Sequence, residues 1–253
     1  MIELVDEFKG KQGAYNPPLQ RGAAEEVMQP TADFVEAVSP IEKLLAPEAR
    51  RVFSGIYGHF LASAGSSSKA VLVCSASSEE GATTVAAGLA IAAAEKRGNQ
   101  VLLIDGNCHS PKASEAFGVT DRRGLSDLLG GNTEASLSVS KTNIPNLSLI
   151  GAGITPGNHI QALEPPKFRG LLDKLAGTFQ FILVDGPPIN TYPESLLYAS
   201  QVDRVLLVIH AGVSRGPVVA KALSTLSAAG CDRVEVVLNR RTFAIPQKLY
   251  QKL

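Results

Sequence analysis

The chain is predicted to fold as an α/β domain, with a doubly wound, mostly parallel sheet carrying helices on both faces. Three observations carry that expectation. Apolar runs of strand length alternate with stretches of helical periodicity from about Ala70 to Arg240. Each run is continuously apolar, as strands buried on both faces of a parallel sheet require. At 253 residues the chain can also bury the core of one large domain. Such alternation implies right-handed crossovers between parallel strands.

In chain order, residues 1–40 carry scattered Pro and Gly ("YNPPLQRG", "MQPTADF") and little hydrophobic periodicity. They are read as a flexible N-terminal arm with one or two short helical turns. Residues 41–253 are read as the folded domain. From Ser39, "SPIEKLLAPEARRVFSGIYGHFLASAG" repeats Leu44, Leu45, Val52, Phe53, Ile56, Phe60 and Leu61 at helical spacing. Pro47 suits the first turn of a second helical piece, where its missing N–H costs little. Strands are expected at "AVLVCS", "QVLLIDG", "NLSLIGAG", "QFILVDGPP", "DRVLLVIHAG" and "RVEVVLNR". Helices between them are expected at "GATTVAAGLAIAAAEKRG", "GLSDLLGG", "PPKFRGLLDKLAG" and "RGPVVAKALSTLSAAG". No internal repeat is visible.

Lys+Arg and Asp+Glu both number 24, so there is no basic footprint for nucleic acid and no acidic tail. Cys74, Cys108 and Cys231 are far apart, and no metal-ligand spacing joins them to His59, His109, His159 or His210. They read as free thiols of a reducing compartment. The start "MIELVDEFKGKQG" lacks the apolar stretch of a secretory signal, and no apolar run reaches the roughly 18 to 20 residues that span a bilayer. A cytoplasmic protein is expected, without direct membrane insertion, reaching the inner membrane through a partner.

Ligands of an open α/β sheet bind beyond the C-terminal ends of its strands, and three such ends are chemically marked. "VCSASSEEGATT" leads from a strand into a helix whose free N–H groups suit an anion. Against the phosphate-loop pattern G-x-x-x-x-G-K-[ST], the chain supplies Ala76, then Gly81, Ala82 and Thr83, followed by Thr84. Gly81 permits close backbone approach, and Thr83 stands where a hydroxyl meets Mg²⁺. "VLLIDGNCHSP" delivers Asp105 and Asn107, and "FILVDGPPI" delivers Asp185 before a rigid Gly-Pro-Pro turn. A carboxylate there can hold Mg²⁺ directly or through water. Each signal alone is commonly a strand-end cap; the three in this order are specific.

With these residues in view, the chain resembles the bacterial tyrosine kinase (BY-kinase) family of capsule and exopolysaccharide synthesis, within the MinD/ParA-like group of P-loop proteins. The resemblance runs from about Ile41 to Asn239. "VLLIDGNCHSPKASEAFGV" is similar to the family's Walker A′ segment, "FILVDGPPI" to its Walker B segment, and "GLSDLLGGNTEASLSVSKTNIPNLSLIGAG" to its connecting segment. "VVLNR" resembles the strand whose Asn, here Asn239, contacts adenine. The resemblance implies a P-loop NTPase-like fold, ATP or ADP with Mg²⁺ at Gly81, Ala82, Thr83, Thr84 and Asn239, and metal contacts from Thr83, Asp105 and Asp185. Asp105 and Asp185 are the implied catalytic carboxylates.

The departures from the family fall at the chemistry. The Walker A lysine is Ala82, and no second signature lysine opens the loop at Ser75-Ala76-Ser77. The Pro-Gly-Glu approach is Ser78-Glu79-Glu80, the Asp-x-Asp of Walker A′ is Asp105-Gly106-Asn107, and the arginines that follow are His109 and Ser110. The tyrosine cluster is reduced to Tyr250, the phospho-acceptor candidate, while Tyr192 and Tyr198 are expected to pack. A charge-assisted hydrogen bond to phosphate is worth roughly 1.5–3 kcal/mol, so losing the lysine weakens binding about tenfold to a hundredfold. Turnover suffers more, because phosphoryl transfer depends on positioned positive charge. Weak Mg-nucleotide binding without efficient turnover is expected, unless Arg122, Arg123, Lys112 or a partner's arginine restores the charge.

"PEARRVFS" resembles the family's Glu-x-x-Arg-x-x-Arg oligomerisation helix, with Glu48 and Arg51 matching and Ser54 in place of the last arginine. An i,i+3 surface ion pair is the plainer reading. The family works with a membrane polysaccharide co-polymerase, or chain-length regulator. The resemblance implies such a separate partner, docked by residues 1–40 or by "AIPQKLYQKL". The reading is therefore a degenerate regulator or scaffold of polysaccharide synthesis. Its competitors are an active autokinase with a rearranged site and a MinD/ParA-type spatial regulator.

Overall fold

The computed structural model describes residues 3–5, 40–64, 69–119, 123–131, 138–153 and 164–241. They form one eight-stranded sheet: β1 (Glu3–Val5), β2 (Ala70–Ser75), β3 (Val101–Asp105), β4 (Ser140–Lys141), β5 (Leu147–Ile150), β6 (Phe181–Asp185), β7 (Arg204–His210) and β8 (Val234–Asn239). The spatial order is β1-β8-β7-β2-β6-β3-β5-β4. All pairs from β8 to β5 are parallel, and only the short outer strands β1 and β4 run antiparallel. The expected fold class is the one observed.

Strand faces alternate into two cores. Val71, Val73, Val101, Leu103, Phe181 and Leu183 face one side, where α1 (Pro40–Leu45), α2 (Pro47–Ala64) and α3 (Ala82–Ala94) pack. Leu72, Cys74, Leu102, Ile104, Ile182 and Val184 face the other, beneath α5 (Leu125–Leu129), α6 (Pro165–Leu175), α7 (Glu194–Ala199) and α8 (Gly216–Ala228). The short α4 (Lys112–Ala116) follows β3. Pro47 opens α2, as its position predicted.

Helix α3 is buried on nearly every side, from Val85 through Ala94. Its alanines fill that enclosed space without large side chains, letting α3 lie close to both the sheet and α2. The tightest approach is at Gly88, where a Cβ would meet the Phe53 ring at 2.3 Å. Phe53 is itself buried, so the ring has little room to retreat.

Strands β1 and β4 and helices α4 and α7 were not expected from the sequence. Residues 3–5 lie within the stretch read as an arm, yet they pair with β8 in the register Glu3↔Leu238, Leu4↔Val237, Val5↔Val236. Three residues are too few for a periodicity signal. Pro40 opens α1, while residues 1–2 and 6–39, and the C-terminal segment with Tyr250, lie outside the described residues. Among the described residues, no helix is long and apolar enough to cross a membrane.

Gly88→Ala is expected to destabilise the fold despite alanine's better helix propensity. Overpacking costs about 1–3 kcal/mol, against a propensity gain of about 1 kcal/mol. A lower urea midpoint is the expected result; an unchanged or higher one means that α2 and α3 are not packed this closely.

Candidate functional site

Because β2, β6 and β3 are neighbours and parallel, their following loops emerge at one sheet edge. The registers align them closely: Val73 pairs with Asp185, and Asp185 pairs with Asp105. The loop after β2 therefore stands beside both acidic strand ends, as the order of motifs predicted.

The loop from Ala76 to Gly81 is held by a set of internal bonds. The Ser75 hydroxyl donates to Ser77 O at 2.7 Å, and Ser77 N–H donates to the Glu80 carboxylate at 2.8 Å. Glu80 is buried, and its other carboxylate oxygen accepts from the Ser214 hydroxyl in the loop after β7. Asn239 Nδ2 donates to Glu80 O at 2.9 Å. Gly81 caps α3 at φ 93°, a left-handed conformation, and a Cβ there would fall 2.1 Å from Asn239 Nδ2. Glycine is thus required twice, by dihedral and by space. Asn239, assigned by resemblance to adenine, is buried beneath the loop; its amide braces Glu80 and its Oδ1 accepts from Arg240 N–H.

Glu79 adopts φ 66° without being glycine, at the position where the resemblance has Gly. A non-glycine residue there costs roughly 1–2 kcal/mol of backbone strain. Its exposed carboxylate pairs with Lys112 Nζ at 3.1 Å, tying the loop to the first residue of α4.

The two strand-end carboxylates are both buried and differ in what surrounds them. Asp105 accepts from Ser114 N–H and from the Ser114 hydroxyl, both at 3.0 Å, and from Asn107 N–H at 3.3 Å. Burial nonetheless pushes its pKa up to about 6. Asp185 is raised well above the ordinary carboxylate value, chiefly by burial and then by the charge of Asp105, with the Thr83 hydroxyl favouring its ionised form. Neither Asp185 oxygen has a hydrogen-bond partner of normal length among the described residues. A buried, unpartnered carboxylate beside a hydroxyl on the first turn of α3 suits a small hard cation with oxygen ligands. Thr83 and Asp185 could hold such a cation, with Asp105, the third metal contact implied by the resemblance, beside them and bonded to Ser114 and Asn107.

Above them lies a cavity of about 210 Å³. Gly81, Ala82, Thr83 and Thr84 line it from the loop side, and Asn107, His109 and Lys112 from the segment after β3. Glu79, Tyr192 and Arg240 also line it. His109 stacks on Tyr192 with ring centroids 3.9 Å apart, and its Nε2 lies 2.6 Å from the buried Glu194 carboxylate. Tyr192 does pack, as expected, but it packs at the cavity wall; Tyr198 is wholly interior, against Phe168. The sequence reading passed over Arg240 and the cavity role of Tyr192, because both follow from strand order and turn geometry.

Elsewhere, Glu48 and Arg51 are exposed on α2, where the neighbouring Arg50 pairs with Glu95 at 3.2 Å. Arg123 is exposed; Arg122 and Tyr250 lie outside the described residues. Cys74, Cys108 and Cys231 are free, and burial keeps Cys108 protonated, at about 11.

No family model matches the chain. It is similar to CapB of Staphylococcus aureus, assigned as a tyrosine-protein kinase, at 33% identity over 189 residues, covering 74% of this chain and 82% of that one. Among solved structures it resembles the chimerical protein CapA2B2, with TM-score 0.73 and 27% identity, over 80% of this chain and 89% of that one. It shares the fold of the septum site-determining protein MinD from Pyrococcus horikoshii, solved with Mg-ADP, at TM-score 0.59 and 24% identity over 73% of this chain and 76% of that one.

Because burial raises both carboxyl pKa values, the metal-free fold binds more protons than the unfolded chain. For Asp105 this holds between the ordinary value of 3.8 and about 6. Stability should therefore fall as pH rises through that window. Asp185→Asn should raise the Tm of metal-free protein at neutral pH, flatten the pH dependence, and remove any stabilisation by Mg²⁺. A lower Tm for Asp185→Asn would mean that the carboxylate is satisfied in the metal-free state.

Proposed function

The chain belongs to the bacterial tyrosine kinase family within the MinD/ParA-like P-loop ATPases, and from that membership we propose that it is a catalytically degenerate regulator or scaffold in capsule or exopolysaccharide synthesis. The observation that carries the reading is Ala82. It is the first residue of α3 and lines the cavity where the family's Walker A lysine meets phosphate. The loop around it keeps the features that bind an anion: Gly81 in its left-handed conformation, the open first turn of α3, and Thr83 beside Asp185. The cradle is retained and its cation is not.

The surroundings compound that loss. Asp105, Asp185, Glu79 and Glu80 stand in or beside the loop, so a polyphosphate enters a region rich in acidic groups. Mg-nucleotide is favoured over free nucleotide there. Thr83 and Asp185 would hold Mg²⁺, which when bound would supply positive charge to offset that of the phosphates. The transition state of phosphoryl transfer still lacks its positioned lysine. The expected state is weak ATP or ADP binding with negligible turnover.

The partner in this reading is a membrane polysaccharide co-polymerase, which recruits the protein to the cytoplasmic face of the inner membrane. Similarity to CapB and to the CapA2B2 chimera supports it, as does the matched family helix at Glu48 and Arg51 for a homo-oligomer. One observation favours a second reading, an active autokinase with a rearranged site. Lys112 and Arg240 bring positive charge to the same cavity.

Titration of purified protein with Mg-ATP should give weak binding, and Ala82→Lys should tighten it by roughly 1.5–3 kcal/mol. Turnover by the unmodified protein on the order of 1–100 per second, the ordinary range for kinases, would establish the autokinase reading instead.

In cells, deleting the protein should impair polysaccharide output, while Asp185→Ala, if stably folded, and Tyr250→Phe should leave output near normal. Loss of polysaccharide in the Tyr250→Phe strain, at unchanged protein abundance, would overturn the scaffold role in favour of a phospho-acceptor.

A further inference from the structure

We propose that Lys112 supplies the phosphate contact that position 82 lacks, and that Glu79 holds it in place until phosphate arrives. This rests on the nucleotide-site reading above and adds to it the residue that makes residual binding possible.

Lys112 and Glu79 belong to different loops, after β3 and β2, with the end of β6 and Asp185 between those strands. Their side chains meet at 3.1 Å, and both line the cavity alongside Ala82 and Thr83. The base of Lys112 is fixed, because Ser114 anchors α4 to the buried Asp105 carboxylate through two hydrogen bonds. Beyond that base the side chain is a flexible four-carbon stem ending in a point charge. A fixed root and a mobile head allow the ammonium to leave Glu79 without disturbing the fold.

The exchange is favourable. The pair is open to solvent, with side-chain exposures of 56% and 77%, and ion pairs so exposed contribute little. A polyphosphate carries more charge than a carboxylate and accepts stronger, charge-assisted bonds. Glu79 is also strained, at φ 66°. Its visible contact is Lys112, which it draws to the loop from which the ordinary lysine is missing. Arg240 lines the cavity as well, but it follows β8 and, among the described residues, pairs with no acid of the loop.

The test is calorimetric titration of the full chain with Mg-ADP, comparing the unmodified protein with Lys112→Ala, Lys112→Arg, Glu79→Gln and the Glu79→Gln, Lys112→Ala double variant. Lys112→Ala should weaken binding about tenfold or more, and Lys112→Arg should keep most of it. Glu79→Gln should tighten binding several-fold, and that gain should shrink in the Lys112→Ala background. The nucleotide-free Tm should be unchanged throughout, since the pair is exposed. Equal affinities for the unmodified protein and Lys112→Ala would overturn the inference and leave the proposed function standing. So would binding by Ala82→Lys with none by the unmodified protein. Binding by neither would overturn the nucleotide site itself.

Discussion

The Asp185 carboxylate is the constraint around which this protein is arranged. It ends the strand between the phosphate-type loop and the acidic end of β3, wholly buried and without a normal hydrogen bond among the described residues. A buried charge in that condition is costly, and a protein meets the cost by protonating the group or by bringing a cation to it. The sheet makes the second solution available. Parallel register puts Thr83 and the opening of α3 over the same strand end, so a hard cation can find oxygen ligands there. Strand order, loop position and the raised pKa of Asp185 are thus one fact seen at three levels.

Within the loop, shape and charge are assigned to different residues. Its path is held by Ser75, Glu80, Ser214 and Asn239, bonded to one another or to backbone, and by Gly81, where no larger residue fits. None of these needs a charged ligand to keep its contacts. The cavity-lining residues at positions 79, 82 and 112 are attached to that scaffold and do not build it. This separation lets the loop keep its conformation with alanine at position 82.

Much of the sheet was legible because burial on both faces makes apolar runs continuous, and that signal survives without alignment. The convergence of Asp105, Asp185 and Thr83 followed from the same runs, since parallel strands must end at one edge. What escaped depended on contacts between distant residues. Strand β4 is two residues long and pairs only because β5 presents an edge. Asn239 is assigned to adenine by resemblance, and the further bond from its amide to the loop's own backbone could not be read from local composition. Glu79 could be recognised as an odd residue beside phosphate, but neither its left-handed backbone nor its hold on Lys112 is written in local composition.

The alanine at position 82 also changes the balance between stability and function. A lysine on the first turn of a helix places positive charge against the positive end of the helix dipole, a repulsion of about 0.3–1 kcal/mol at an exposed site. It is tolerated where phosphate compensates it. Helix α3 has no charged residue in its first turn, and alanine is the best helix former available there. Alanine in place of a lysine therefore favours the nucleotide-free domain, and under the proposed scaffold role the weaker hold on phosphate that goes with it costs nothing. The same reasoning applies in reverse to Glu79, whose strained backbone lowers stability. A residue that costs stability at the mouth of a cavity is better explained by what its side chain holds than by the fold it interrupts.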